Sequence, residues 1–344
     1  MKSRGVVFVG ARQVEVRERE LPSLAGGQLL VRSLLSAISP GTEMLVYRQQ
    51  IPEELPLDES ISGLRGAFRY PLQYGYSVVG EVIDCGKDAD PAWLGQHVFA
   101  FHPHESHFLA DPGDLVPLPD AVSAEDAVFL PNTETAVNFL MDARPLVGEF
   151  AAVFGLGVVG LLTANLLAQF PLGGLVGFDR YALRRDTARA GGVEFSLDPA
   201  DRPGWSRARM ALRERGMVDG FDFACELSGA PAALDQAISL TGFSGRVLIG
   251  SWYGKKPVAL DLGGRFHRSR IRLISSQVSS LAPELLGRWT KARRLGVAWD
   301  VLRRTCPSRW ITQRFSVDQA DLAYQHIDTA PEDTIQVVLE YPGE

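Results

Sequence analysis

Between Ala151 and Gly160 the chain reads Ala-Ala-Val-Phe-Gly-Leu-Gly-Val-Val-Gly, which sets three glycines at G-x-G-x-x-G spacing between an apolar run and a helix-like segment, Leu161 to Phe170. That spacing suits a phosphate cradle. Gly155 permits a tight turn, Gly157 lets backbone approach the phosphates, and Gly160 lets helix and strand pack closely, with unpaired helix N–H groups aimed at the anion. Leu156, Val158 and Val159 complete the turn. A second run, Gly174-Leu-Val-Gly-Phe-Asp179, ends in an acid 24 residues after Gly155. Strand, glycine turn, helix, strand and terminal carboxylate in this order read as a dinucleotide-binding unit, where the glycine motif alone would fit a purely structural turn. Asp179 is placed to accept hydrogen bonds from adenosine ribose hydroxyls and would repel a 2′-phosphate, which favours NAD. Arg180 and Arg184 follow it; pairing with such a phosphate, they would make NADP the alternative.

The other concentration of reactive side chains is His102-Pro-His104-Glu-Ser-His107. On an extended segment His102 and His104 share a face, so the trio is a partial metal site or a polar loop. Cys85, Cys225 and Cys306 are scattered and lack C-x-x-C spacing, so they are expected as reduced thiols of a cytoplasmic protein.

These residues need elements to position them, and composition permits an ordinary globular enzyme. The 344 residues are 46% hydrophobic and 22% charged, enough for two domains with cores of their own. A net charge of −6 gives no reason to expect nucleic acid as a partner. Arginines gather at 202–215 and 265–272, but acids and apolar residues interrupt them. Phe150 to Phe178 carries no charge and is longer than the ~20 residues that span a bilayer. Its six glycines and Pro171 break it into strand, turn, helix and strand, so no membrane span is expected. The N-terminal residues show no secretory pattern.

Up to about residue 120, short β-like runs (5–9, 28–33, 77–84 and 96–101) alternate with Pro and Gly turns. Ser123-Ala-Glu-Asp opens a helical pattern with a capping serine and early acids. Beyond the glycine turn, strand-like 221–229, helix-like 230–241 and strand-like 245–250 continue an α/β alternation, which implies a doubly wound parallel sheet of Rossmann type. The tail reads strand (311–315), helix (318–327) and strand (335–340), and is expected to rejoin the first domain. The boundaries expected are 1–122, 123–276 and 277–344.

Ala37-Ile-Ser-Pro-Gly-Thr-Glu43, Gly75-Tyr-Ser-Val-Val-Gly-Glu-Val82, Gly95-Gln-His-Val98, the glycine turn and Asp222-Phe-Ala-Cys-Glu-Leu-Ser-Gly229 follow one another in an order that resembles the medium-chain dehydrogenase/reductase superfamily over essentially the whole chain. The Ser-Pro-Gly-Thr-Glu segment most resembles the subgroup containing bacteriochlorophyllide dehydrogenase. The resemblance implies a GroES-like β-rich catalytic domain beside the Rossmann domain, a nicotinamide cofactor and a homodimer acting on a small-molecule substrate. In zinc-dependent members the metal is held by a cysteine, a histidine and a later cysteine or acid. Here those places hold Ser39, Tyr76 and Pro131 or Asn132, neutral groups that are poor zinc ligands, and the four-cysteine structural lobe is missing, so no zinc is expected.

With no Lewis acid, hydride transfer between a hydroxyl and a carbonyl calls for hydrogen-bond donors on the substrate oxygen. By resemblance Thr42 occupies the family's proton-relay position, Tyr76 replaces the metal-ligating histidine, and His102 exchanges the proton with solvent. Ser39, Glu43, Asn132 and Tyr253 are further substrate-pocket candidates. Ser228, Gly250, Ser251, Trp252, Ser275 and Ser276 are expected beside the cofactor. The leading expectation is a zinc-independent NAD(P)-dependent oxidoreductase. A quinone or enoyl reductase and a non-catalytic dinucleotide sensor are the alternatives. The segment 48–70, polar and rich in Pro and Gly, reads as a lid or a surface excursion.

Overall fold

The computed structural model describes residues 1–56 and 66–342. The middle of the expected lid, including Gly63, lies outside the described residues. The strands in chain order are β1 (Lys2–Gly10), β2 (Gln13–Glu20), β3 (Leu29–Ile38), β4 (Leu72–Gln73), β5 (Val78–Cys85), β6 (His97–Ala100), β7 (His107–Ala110), β8 (Leu115–Pro117), β9 (Phe150–Phe154), β10 (Gly174–Phe178), β11 (Phe195–Leu197), β12 (Phe221–Glu226), β13 (Thr241–Ile249), β14 (Arg272–Ser275), β15 (Ile311–Ser316) and β16 (Gln336–Glu340). They divide between two compact units, Met1–Pro131 with Leu302–Glu344, and Asn132–Val301.

The first unit holds two sheets, one ordered β2-β1-β4 and the other β15-β16-β3-β5-β6-β8, with β7 also pairing β3. Strand β3 organises it. Its first half alternates buried and half-buried residues, and its second half, Leu35 to Ile38, is fully buried where β5 and β16 flank it. A core of Val6, Phe8, Met44, Tyr47, Tyr324 and Leu339 packs beside it.

The second unit contains a parallel sheet in the order β11-β10-β9-β12-β13-β14, the doubly wound arrangement in which ligands sit outside the carboxyl ends of the strands near the reversal between β9 and β12. β9 (Phe-Ala-Ala-Val-Phe) and β10 (Gly-Leu-Val-Gly-Phe) are buried at every position, which accounts for their unbroken apolar sequence. Phe154 stacks on Phe178 with centroids 4.7 Å apart, and Trp205 meets Phe178 edge-on. No helix among the described residues is long and apolar enough to cross a membrane.

The breaks between units differ from the pattern-based ones at 122 and 276. The helix capped at Ser123, whose Oγ accepts from the Asp126 N–H at 3.0 Å, belongs to the first unit. Residues 277–301 belong to the second, because Arg294 in the helix Lys291–Thr305 is buried against the helix Leu130–Ala143. Its guanidinium donates to Glu134 Oε1 at 3.0 and 3.1 Å, to Asn138 Oδ1 at 2.6 Å and to the Val278 and Ser280 carbonyls.

Candidate active site

The glycine turn leaves β9 with Gly155 at φ +90°, where a Cβ would stand 2.5 Å from the Ser228 Cα. A Cβ on Gly160 would meet the Gly155 carbonyl oxygen at 1.9 Å, so the helix Val158–Ala168 can lie this close to the turn only without a side chain there. Gly157 differs. Only Arg184 Nη1, at 4.0 Å, faces the place of its missing Cβ, and no side chain caps the helix that Gly157 begins. Free space over a backbone with uncapped N–H groups fits a dinucleotide pyrophosphate. Leu156 and Val158 face inward and are buried, and Val159 is half-buried.

Asp179 follows β10 and is nearly buried. Its carboxylate accepts from the Leu156 N–H at 2.8 Å and the Tyr181 N–H at 2.9 Å, so it fixes the glycine turn as well as terminating the strand. Arg184 lies over the Tyr181 ring, 4.8 Å from its centroid and 3.9 Å from Asp179 Oδ2. Burial lowers the Arg184 pKa, opposed by the Asp179 charge. Arg180 reaches the same ring from 5.7 Å.

The next two strand ends are sewn together by Glu226, which is fully buried. It accepts from the Ser228 N–H at 2.8 Å, from the Ser228 hydroxyl at 2.5 Å and from the Tyr253 hydroxyl, while its backbone carbonyl receives the Gly250 N–H and the Ser251 hydroxyl. Burial and the neighbouring carboxylate raise the Tyr253 pKa strongly, so Tyr253 stays a neutral phenol committed to Glu226 and is not a free substrate-pocket group. Gly250 packs against Phe139 and Leu227, and Trp252 is 40% exposed. Ser275 ends β14. The Ser276 hydroxyl donates to Asp142 at 2.5 Å and accepts from Asn138, and its N–H donates to the Ile249 carbonyl at 3.1 Å, so both of its donors are spent within the protein. The Asp142 pKa is raised by burial. Asn132 lies in the first turn of the helix Leu130–Ala143.

In the first unit, Ser39 follows β3 and Tyr76 precedes β5. Tyr76 donates its hydroxyl to Ser39 Oγ at 2.7 Å, so two of the residues expected at metal-ligand positions bond one another. Gly75, at φ +130°, makes room for the His104 ring, which a Cβ there would approach to 2.7 Å. Thr42 opens the short helix Thr42–Tyr47 half-buried, with its N–H pointing to Ser39 Oγ at 3.3 Å.

Glu43 does not line a pocket. It is fully buried, accepting from the Ser39 N–H at 2.8 Å, from His104 Nε2 at 2.9 Å and from the Tyr324 hydroxyl. His104 Nδ1 meets Ser36 Oγ at 2.7 Å, and Ser36 meets the Tyr341 hydroxyl at 2.9 Å. Burial, then Glu43, pushes the Tyr324 pKa well up. This buried network was missed in the sequence because its members lie far apart along the chain.

The histidines do not converge. His102 stacks on Phe108 with centroids 3.9 Å apart and directs Nδ1 to the Pro103 carbonyl at 2.9 Å, His104 is consumed by Glu43 and Ser36, and His107 Nδ1 faces Ser106 Oγ. Burial lowers the His102 pKa, which favours the neutral ring. Among the described residues no group of three or more His, Cys, Asp or Glu is arranged to hold a metal ion. Two mutually bonded neutral hydroxyls at the expected ligand positions are a donor set that does not fit zinc.

No protein-family model matches the chain. It is similar to D-guloside 3-dehydrogenase of Escherichia coli K12, 23% identical across 98% of this chain and 99% of that protein. It is also similar to L-threonine 3-dehydrogenase of Pectobacterium carotovorum, 29% identical across 70% of this chain and 74% of the other. The crystal structure of a short chain alcohol dehydrogenase from Escherichia coli CFT073 complexed with NADH superposes with a TM-score of 0.76 at 17% identity, covering 99% of both chains. The glycine turn, the strand order and these likenesses are those of the medium-chain dehydrogenase/reductase superfamily, which the chain resembles along its length.

Proposed function

We propose that this oxidoreductase interconverts a secondary hydroxyl and a carbonyl by NAD(P)-dependent hydride transfer without a catalytic zinc ion. The observation that carries this reading is the hydrogen bond between the Tyr76 and Ser39 hydroxyls, residues that the resemblance matches to metal-ligand positions, in a chain that also has an open glycine turn suited to a pyrophosphate. The nicotinamide, when bound, supplies or accepts the hydride. The glycine turn and the uncapped helix start at Gly157 hold the pyrophosphate, and Asp179, set at the strand end by two backbone N–H groups, receives the adenosine ribose. That carboxylate supports NAD, and Arg184 beside it is the cation that a 2′-phosphate of NADP would pair with. The Ser39–Tyr76 hydroxyl pair supplies hydrogen bonding to the substrate oxygen in place of a metal. His102 keeps Nε2 as an acceptor while Nδ1 serves the Pro103 carbonyl, and because burial disfavours its protonated form it can hold a proton only in passing. The likeness to D-guloside 3-dehydrogenase supports a ring hydroxyl of a glycoside as the reacting group.

The test follows absorbance of the reduced nicotinamide with methyl D-guloside, other alkyl glycosides, polyols, aldehydes and quinones, alongside elemental analysis of the protein. Turnover of a hydroxyl substrate by protein lacking stoichiometric zinc is expected. Activity confined to quinones, or lost with removal of one tightly held zinc, overturns the reading.

A further inference from the structure

We infer that Ser39 is the residue that touches the substrate oxygen and that Tyr76 stands behind it as its proton source. The inference rests on the hydroxyl–carbonyl reading above and assigns the order of the two hydroxyls within it. A serine hydroxyl has one proton to give and two lone pairs to fill. At Ser39 the Tyr76 O–H fills one from 2.7 Å and the Thr42 N–H the other from 3.3 Å. Its own proton has no acceptor among the described residues. Tyr76 is in the opposite position, its phenolic proton already committed to Ser39. On a residue only 7% exposed, a hydroxyl with an unspent proton is an unfavourable arrangement unless a ligand oxygen completes it.

The backbone that carries this hydroxyl is held from below. The Ser39 N–H is anchored at 2.8 Å on Glu43, a carboxylate without solvent exposure that His104 and Tyr324 hold in turn. The backbone under Ser39 therefore cannot turn without breaking a buried network. Glu43, His104 and Tyr324 are positioning residues that act through Ser39.

In the reducing direction the hydride electron pair arrives at the carbonyl carbon and the C=O π pair moves onto oxygen. That oxygen takes the Ser39 proton, Ser39 Oγ takes the Tyr76 proton, and the Tyr76 oxygen is reprotonated from solvent. One hydride and one proton are consumed, and the nicotinamide is oxidised as the carbonyl is reduced. Alcohol oxidation runs the same transfers backwards. Two protons move in line, and removing Tyr76 leaves only one of those two movements on the protein.

Ser39→Ala, Ser39→Thr and Tyr76→Phe, each checked for native thermal unfolding, are compared with the parent using methyl D-guloside as probe. Calorimetry of the glycoside with NADH-saturated protein reads binding without turnover. There Ser39→Ala is expected to weaken affinity ~10-fold, while Tyr76→Phe leaves it near the parent value. In NAD-dependent oxidation Ser39→Ala is expected to lose ~100-fold or more in kcat, and Ser39→Thr recovers most of it. The plot of rate against D2O fraction should be bowed in the parent and straight in Tyr76→Phe. Parental binding and kcat in Ser39→Ala, or glycoside binding lost in Tyr76→Phe but kept in Ser39→Ala, overturns the assignment. A parent protein that oxidises none of the substrates offered overturns instead the hydroxyl–carbonyl reading beneath it.

Discussion

Replacing Gly157 by alanine adds one methyl where the structure has open space, so fold and ligand should respond differently. Gly157 has φ −67° and ψ −172°, which alanine adopts without strain, and the new Cβ would meet only Arg184 Nη1 at 4.0 Å. Folding stability should stay within ~0.5 kcal/mol of the parent, or rise slightly as the unfolded chain loses freedom. A pyrophosphate oxygen accepting from a first-turn N–H at ~2.9 Å must cross that same face, and the methyl would displace it. Losing one charge-assisted hydrogen bond, worth ~1.5–3 kcal/mol, weakens dinucleotide affinity ~10- to 100-fold. Gly160→Ala is the contrast. Its Cβ would stand 1.9 Å from the Gly155 carbonyl oxygen, a backbone atom that cannot swing aside, so stability should fall by ~1–3 kcal/mol together with affinity. Calorimetry with NAD and NADP, run beside urea unfolding, separates the two. A Gly157→Ala protein that is stable and binds like the parent refutes the cradle.

Arg294→Met should cost ~3–5 kcal/mol in urea unfolding, because Glu134 would keep its buried carboxylate without its cation, and adding Glu134→Gln should restore part of the loss. Full stability in the single variant would mean that the ion pair is dispensable. For His102, burial puts the folded pKa below the unfolded ~6.5, so the unfolded chain binds more protons as pH falls through that value and stability drops with it. His102→Phe should flatten this part of the stability–pH curve, and parallel curves for the two proteins would dismiss His102 as its source.

What could be read in advance was whatever the chain writes locally. The glycine turn, the all-apolar strands on either side of its helix and the Ser123 cap each depend on neighbours within a few positions, and the structure shows all of them. Glu43 is expected from its neighbours to line the substrate pocket, and the structure instead buries it completely. Its burial depends on Tyr324, 281 positions away, and on His104. The histidine cluster looked like one group because spacing reports the direction of the backbone and not which partner captures each ring. Arg294 sits in the run Lys-Ala-Arg-Arg, which resembles a solvated helix face, and only the packing of that helix on Leu130–Ala143 shows which arginine turns inward. Glu226 left one usable signal, an acid closing the strand directly after the apolar run Phe223-Ala-Cys225.

Because one residue, Glu226, ties the segment after β12 to the segment after β13, its carboxylate taking the Ser228 and Tyr253 hydroxyls and its backbone carbonyl the Ser251 hydroxyl, these two stretches form a ready-made wall. A molecule arriving there need not freeze two independent loops, so little of its adhesion is spent on ordering them. Loosening that knot should therefore show first as slower capture and faster escape, before any change in the shape of what is bound.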